Sequence, residues 1–308
     1  MTLQYSHLSQ FPGVFHAMTG LYVPEFQEIV TDLLPRYQAA TAKRLERRSR
    51  RRAIGAGHPF DLAVRDQILL TIVWLRRYPI YEVLGFLFGV SDSTVTRYIA
   101  VILPLLEAAG RDTMRLPEPG RQQRPQLDDL LRDVPGLVIV IDTFEQRVQR
   151  PQDRTEADTY YSGKKKQHTL KSQIAVHQAT GEIVDVADSV RGPTADLSLL
   201  KQSGLLARLP AGVGAMGDLA YVGLGALHPQ GLGATPRRKP REQPRPAEDR
   251  AYNTAFARQR VVVEHTILRI RRYECTMQAD RQHRHQHTAR VIAISGLVNR
   301  QIRHRTPC

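Results

Sequence analysis

Residues 136–148 read GLVIVIDTFEQRV, an aliphatic and largely β-branched run that stops at Asp142. A continuous run of this kind is the pattern of a strand buried on both faces, which belongs inside a sheet covered by helices. Working outward, HTLKSQIAVHQ (168–178) alternates and reads as a second strand. A turn at Ala179-Thr180-Gly181 leads into EIVDVADSV (182–190), a third strand and the partner of a hairpin. TADLSLLKQSGLLARL (194–209) is helical, with Pro193 just before its start, and GVGAMGDLAYVG (212–223) is a short strand followed by glycines. A Pro/Arg-rich stretch, 228–250, reads as a loop. AYNTAFARQRVVVEHTILRIRRY (251–273) reads as a long helix, because Phe256, Val263, Ile267 and Ile270 keep helical spacing, and 285–303 as a last helix. Three strands, then helix, strand and helix predict an α/β unit: a mixed sheet flanked by helices.

The preceding half has a different period. DLAVRDQILLTIVWLRRY (61–78) sets Leu62, Ile68, Leu69, Ile72, Val73 and Leu75 on one broad face, with Arg65, Arg76 and Arg77 outside it, and Pro79 stops the helix. IYEVLGFLFG (80–89) is a short helix ended by Gly89. VSDSTVTRYIAVILPLLEAAG (90–110) is a third, with Ser91 as N-cap and Val95, Ile99 and Ile102 as its apolar stripe. A short helix, a Gly-containing turn and a second helix with a polar start is the helix-turn-helix layout, although an ordinary three-helix bundle has the same pattern. In the DNA-reading layout Ser91, Ser93, Thr94, Thr96 and Arg97 face the groove, together with Asp92. The division expected is a helical, basic segment over 1–60, the helix-turn-helix domain over 61–110, a linker over 111–135 and the α/β domain over 136–308.

Length and charge bound the function. A chain of 308 residues suits about two domains at roughly 150 residues each. Cys275 and Cys308 are the two cysteines, which excludes a disulfide scaffold and a four-cysteine zinc site. No apolar run approaches the roughly 18 residues of a membrane span, and the N-terminus lacks a signal peptide's layout, so a cytoplasmic protein with no membrane partner is expected. The net charge is +14, and it is concentrated. KRLERRSRRR (43–52) has seven basic residues and one acid, residues 258–305 have eleven and three, and the remainder balances at 26 against 26. Concentrated positive charge favours a polyanion, most simply nucleic acid; a solvated arginine-rich surface is the plainer alternative.

Three carboxylates carry the chemistry. Asp142 ends the apolar strand, Asp218 follows the second short strand, and Glu264 lies on the long helix one turn after Arg260. Each alone is commonly an isolated salt-bridged acid. Acids at strand ends and on an adjoining helix are also what a divalent-metal nuclease needs, because Mg²⁺ takes hard oxygen ligands and keeps several waters. Two such ions about 3.5–4 Å apart hold both the attacking and the leaving oxygen of a phosphodiester displacement. His283, His285 and His287 do not suit zinc: alternate spacing fits neither a helix face nor ligand pairs, and no cysteine joins them, so they read as a polar loop near DNA. Trp74 and Cys275 read as packed core residues, and Asp196 as a helix N-cap.

From about 62 to 303 the chain resembles insertion-sequence transposases of the IS5 family, relatives of the Harbinger-type elements. The segments that carry the resemblance are VIVIDTFEQRVQRP, YYSGKKKQHTLKSQIAV, GEIVDVADSVRGPTADLSLL, GAMGDLAYVG and YNTAFARQRVVVEHTILRIRRY. The resemblance implies an N-terminal helix-turn-helix and an RNase H-like DDE catalytic domain, with Asp142, Asp218 and Glu264 as catalytic acids and metal ligands. Their separations, 76 and 46 residues, suit a core without a large inserted domain. Arg260 and Arg271 flank Glu264 as in the family's basic–acid–basic signature, with arginine where the family has lysine. The family also puts Lys164, Lys165 and Lys166 near DNA. What it implies is a transposase with two Mg²⁺ (or Mn²⁺) ions, acting as a homodimer on double-stranded transposon ends and target DNA. Arg47, Arg48, Arg50, Arg51 and Arg52 would then neutralise phosphates. Two other classes remain at this stage: a DNA-binding regulator that has lost transposition, and an RNase H-like nuclease without strand transfer.

Overall fold

The computed structural model describes residues 2–46, 61–118 and 137–305. Arg47, Arg48, Arg50, Arg51 and Arg52, most of the 111–135 linker, and Cys308 lie outside the described residues. Among the described residues no single helix is long and apolar enough to cross a membrane.

The chain divides into two compact units. The first comprises Met1–Asp112, Arg272–Gln278 and Ile292–Cys308. Its helices are α1 (Tyr5–Leu8), α2 (Pro12–Thr19), α3 (Val23–Glu46), α4 (Val64–Arg77), α5 (Tyr81–Phe88) and α6 (Asp92–Thr113). The apolar face of α4 is buried as its periodicity predicts, and Trp74 is a core residue at 1% exposure. The chain turns out of α4 at Tyr78, in the left-handed region at φ 46, one residue before Pro79. The axes of α5 and α6 meet at 93°, within the range for a helix-turn-helix. Two glycines make that corner possible. Gly89 caps α5 at φ 70, and a Cβ on Gly85 would stand 2.5 Å from the carbonyl oxygen of Val90. Ser91 caps α6, its hydroxyl accepting from the Thr94 amide at 3.2 Å.

The second unit, Thr113–Arg271 with Ala279–Val291, holds the sheet. In chain order it contributes β1 (Leu137–Arg147), α7 (Arg154–Tyr160), β2 (Tyr161–Ser162), β3 (Gln167–His177), β4 (Ile183–Val186), β5 (Val190–Arg191), α8 (Asp196–Ser203), α9 (Leu205–Arg208), β6 (Gly214–Met216), α10 (Leu224–Leu227), β7 (Gly233–Ala234) and α11 (Ala247–Arg271). The strands run β2-β3-β1-β6-β7, with β4 and β5 both paired to β3. β1 is antiparallel to β3 and parallel to β6, and β6 is parallel to β7, so the sheet is mixed as expected. The β1 run is central: Ile139, Val140 and Ile141 are wholly buried. One face packs on α8, α9 and α10 through Ile139, Ile141, Ala175, Leu200, Leu205 and Tyr221.

Several boundaries differ from the sequence reading. The expected third strand is split into β4 and β5, and the expected 194–209 helix breaks at Gly204, φ 65, into α8 and α9. The 228–250 loop contains β7 and the first turn of α11, pinned where Asn253 bonds both the amide and the carbonyl of Arg237. The segment 136–308 does not stay in one unit. α12 (Glu274–Met277) and the part of α13 (His287–Arg305) from Ile292 onward group with the N-terminal helices. Arg300 pairs there with Asp32, and Gln301 donates to the carbonyl of Gly20 at 2.6 Å.

Candidate active site

Asp142 and Asp218 are brought together by strand register. β1 and β6 are parallel with Val140 opposite Met216, and each aspartate lies two residues further on, where the backbone of Asp218 is still extended. Side chains two residues apart share a face. The chain then turns sharply: Asp218 caps the turn Leu219–Tyr221 by accepting from the Ala220 amide at 2.9 Å. Gly217 is needed at this bend, because a Cβ there would meet the Tyr221 ring at 2.6 Å.

The Asp142 carboxylate is 18% exposed, accepts from the Thr143 amide at 2.8 Å and from the Arg260 guanidinium at 3.1 Å. Burial pushes its pKa from 3.8 up to about 6; the Thr143 amide and Arg260 lower it, and the charges of Asp218 and Asp196 raise it further. The Thr143 amide and Arg260 together do not offset that burial. Tyr221 is buried beneath, its hydroxyl donating to Gln173 at 3.3 Å, and burial, with the nearby carboxylates of Asp196, Asp142 and Asp218, holds its pKa far above the usual value.

Glu264 is on α11 one helical turn past Arg260, and its side chain is exposed. Among the described residues no three His, Cys, Asp or Glu side chains stand close enough to hold a metal ion. The geometry offers the Asp142–Asp218 pair, not an assembled triad. That pair fits a hard divalent cation: Mg²⁺ is commonly held by one or two carboxylates, with water and substrate phosphate completing its shell. Relief of the unbalanced charge on Asp142 is what such a cation supplies.

The other expected residues fall differently. Ser91, Ser93, Thr96 and Arg97 are exposed at the start of α6. Thr94 is not; it is 8% exposed, turned inward between the Ser91 hydroxyl and the Arg97 guanidinium, so it shapes the cap and does not face a groove. Lys164, Lys165 and Lys166 form the exposed turn between β2 and β3. Arg260 and Arg271, expected on phosphates, are engaged inside the protein, on the Asp142 carboxylate and on the carbonyl of Glu145 at 3.2 Å. Asp196 is not an N-cap. Ala195 holds that position, and Asp196 pairs at 2.6 Å with Lys171, which also donates to the carbonyl of Thr194 at 2.6 Å. Sequence reasoning passed over Lys171, although a lysine buried within β3 asks for a partner. His287 is also core: it bonds Ser189 and Gln146, both at 2.8 Å, and does not belong to an open loop with His283 and His285.

Two carboxylates at the ends of adjacent parallel strands, with a helix-turn-helix elsewhere in the chain, are what metal-dependent cutting of nucleic acid can use. Residues 141–299 match the family described as DDE superfamily endonuclease, and residues 60–112 match the helix-turn-helix of DDE superfamily endonuclease. The chain belongs to the DDE superfamily endonuclease family. It is also 28% identical over 244 residues to a probable transposase for insertion sequence element IS702 from Microchaete diplosiphon, a match spanning 78% of this chain and 82% of that protein. No solved structure matches.

Proposed function

We propose that this protein is a DNA transposase of the IS5 type, Harbinger-like, whose second unit is an RNase H-like catalytic domain. The observation that carries the reading is the Asp142–Asp218 pair, undercompensated in charge, in a chain that combines an endonuclease domain with a helix-turn-helix. The α5–α6 corner binds the terminal inverted repeats of the element, with Ser91, Ser93, Thr96 and Arg97 as contacts, and Arg47, Arg48, Arg50, Arg51 and Arg52 add phosphate neutralisation.

Asp142, Asp218 and Glu264 are the catalytic acids and the ligands of two Mg²⁺ or Mn²⁺ ions. Held by these side chains, such ions would supply charge stabilisation to the attacking and leaving oxygens of the in-line displacement. Asp142 and Asp218 are positioned by the strands. Glu264 is carried by α11 one turn past Arg260, and Arg260 orients Asp142. Water attacks first, and the freed 3′-hydroxyl then joins to target DNA, so no covalent protein–DNA intermediate is needed. Synapsis of two ends calls for a homodimer.

The test supplies pre-cut ends, taken from the DNA flanking the gene, with a target plasmid and Mg²⁺. Joined products are expected. Cleavage of uncut ends without any joining would make the protein a nuclease and not a transposase.

A further inference from the structure

Two internal cations, Lys171 and Arg260, pair with carboxylates of the second unit, and they are held differently. Lys171, on β3, donates to the Asp196 carboxylate and to the carbonyl of Thr194, each at 2.6 Å, and the side chains of this ion pair are 9% and 13% exposed. That ammonium is held twice and belongs to Asp196. Arg260, on α11, makes a single carboxylate contact, Nη2 donating to Oδ2 of Asp142 at 3.1 Å. Its Nε is buried and has no hydrogen-bond partner among the described residues.

A guanidinium grips a carboxylate most strongly through two parallel bonds. Arg260 uses one and leaves a buried donor unsatisfied, which is costly. Of the two cations, Arg260 is therefore the one that can be given up. The helix need not move for this. Phe256 and Val263, on either side of Arg260 along α11, are wholly buried and fix the backbone, whereas an arginine side chain has several rotatable bonds through which its head can swing away.

Oδ1 of Asp142 accepts from the Thr143 amide at 2.8 Å, and Arg260 stands on the other oxygen. A divalent cation held by Asp142 would meet that guanidinium at close range. The two side chains are 14% and 18% exposed, so water and salt screen such a repulsion poorly. The cation and Arg260 are alternatives on Asp142.

We propose that Arg260 holds the divalent cation's place on Asp142 and is displaced when the cation binds. This rests on the reading of Asp142 and Asp218 as metal-holding carboxylates. Arg260 keeps the aspartate aimed and partly neutralised, and it sets the cation concentration at which the pair loads.

The experiment follows the Arg260 side chain by nuclear magnetic resonance in the full chain carrying isotope-labelled arginine. The Nε–H signal of Arg260 is the one missing from Arg260→Gln, and burial should make it exchange slowly with water. Saturating Mg²⁺ should shift that signal and speed its exchange. Mn²⁺ titration without DNA, read from the electron-spin signal of the free ion, should show Arg260→Gln binding about tenfold more tightly than wild type, because one charge-assisted hydrogen bond no longer has to be broken. Circular dichroism checks that the variant is folded, and the wild-type response to Mg²⁺ does not depend on the variant's stability. An Nε–H signal unchanged at saturating Mg²⁺ overturns this inference alone, as does a folded variant that binds Mn²⁺ no more tightly than wild type. Absence of Mn²⁺ binding by both chains overturns the reading beneath it.

Discussion

Arg260 holds Oδ2 of Asp142 at 3.1 Å, and yet the pKa of that carboxyl stands at about 6. One guanidinium does not offset burial together with the charges of Asp218 and Asp196. The strain is electrostatic and sits where a cation belongs.

The sign of that strain can be measured. With the folded pKa raised from 3.8 to about 6, the folded state binds the Asp142 proton more tightly than the unfolded state. Stability is fully favoured below pH 3.8 and is lost as pH rises to about 6, by on the order of 2–3 kcal/mol from this group. Asp142→Asn should therefore melt higher than wild type at pH 8, with the gap closing toward pH 4 (about 1–2 kcal/mol net, since Arg260 loses its anion). Mg²⁺ should raise the wild-type melting temperature and leave the variant's unchanged. A variant less stable at pH 8 than at pH 4, relative to wild type, would contradict the account of Asp142.

His287 titrates in the opposite sense. Burial between Ser189 and Gln146 lowers its pKa to about 3, with Arg290 adding to the shift. The neutral ring contributes stability above pH 6.5, and that contribution is lost as pH falls from 6.5 toward 3. Unfolding free energies from urea titrations at pH 7 and pH 5 should differ by about 2 kcal/mol from this residue. His287→Gln, weaker at both pH values, should show the smaller difference; an equal difference would remove His287 as its source.

Asp280 and Arg290 form an ion pair with both side chains 1% exposed. Removing one partner leaves a buried charge unpaired, at a cost of about 3–5 kcal/mol. Asp280→Asn should lower the melting temperature sharply, and a loss within measurement error would mean water compensates Arg290.

Gly85→Ala should break the DNA-reading corner. Its Cβ would meet the Val90 carbonyl at 2.5 Å, a backbone atom that cannot swing away. A loss of about 1–3 kcal/mol is expected, with binding of end DNA lost before catalysis on pre-cut ends. Wild-type stability would show that the turn adapts.

What was legible in the sequence follows from what side-chain periodicity encodes. The buried β1 run, the α4 face, and the Gly89–Ser91 corner of α5 and α6 are readable because each is a local pattern. Asp142 and Asp218 are singled out in the sequence by their places at strand ends and by the family resemblance, whereas the parallel register of β1 on β6 that brings strands 76 residues apart together is recorded by no local pattern. The Lys171–Asp196 pair, the inward turn of Thr94 and the burial of His287 were missed for the same reason: each depends on what another segment places opposite. Arg260 and Arg271 stand out in the sequence through the family's basic–acid–basic signature, but what each engages is set by tertiary contacts. The assignment of Ile292–Cys308 to the first unit depends on partners such as Asp32 and Gly20, far back in the chain.

The most direct test of the central claim is Mg²⁺-dependent nicking of duplex DNA carrying the element ends, measured for Asp142→Asn, Asp218→Asn and Glu264→Gln beside an end-binding assay. Each variant should bind the ends as wild type does and cut at a rate lower by about 10³ or more, since each removes a ligand on which the displacement depends. Wild-type cutting by the Asp142 or Asp218 variant would contradict the assignment of this pair as the catalytic centre, and wild-type cutting by the Glu264 variant would remove α11 from the chemistry.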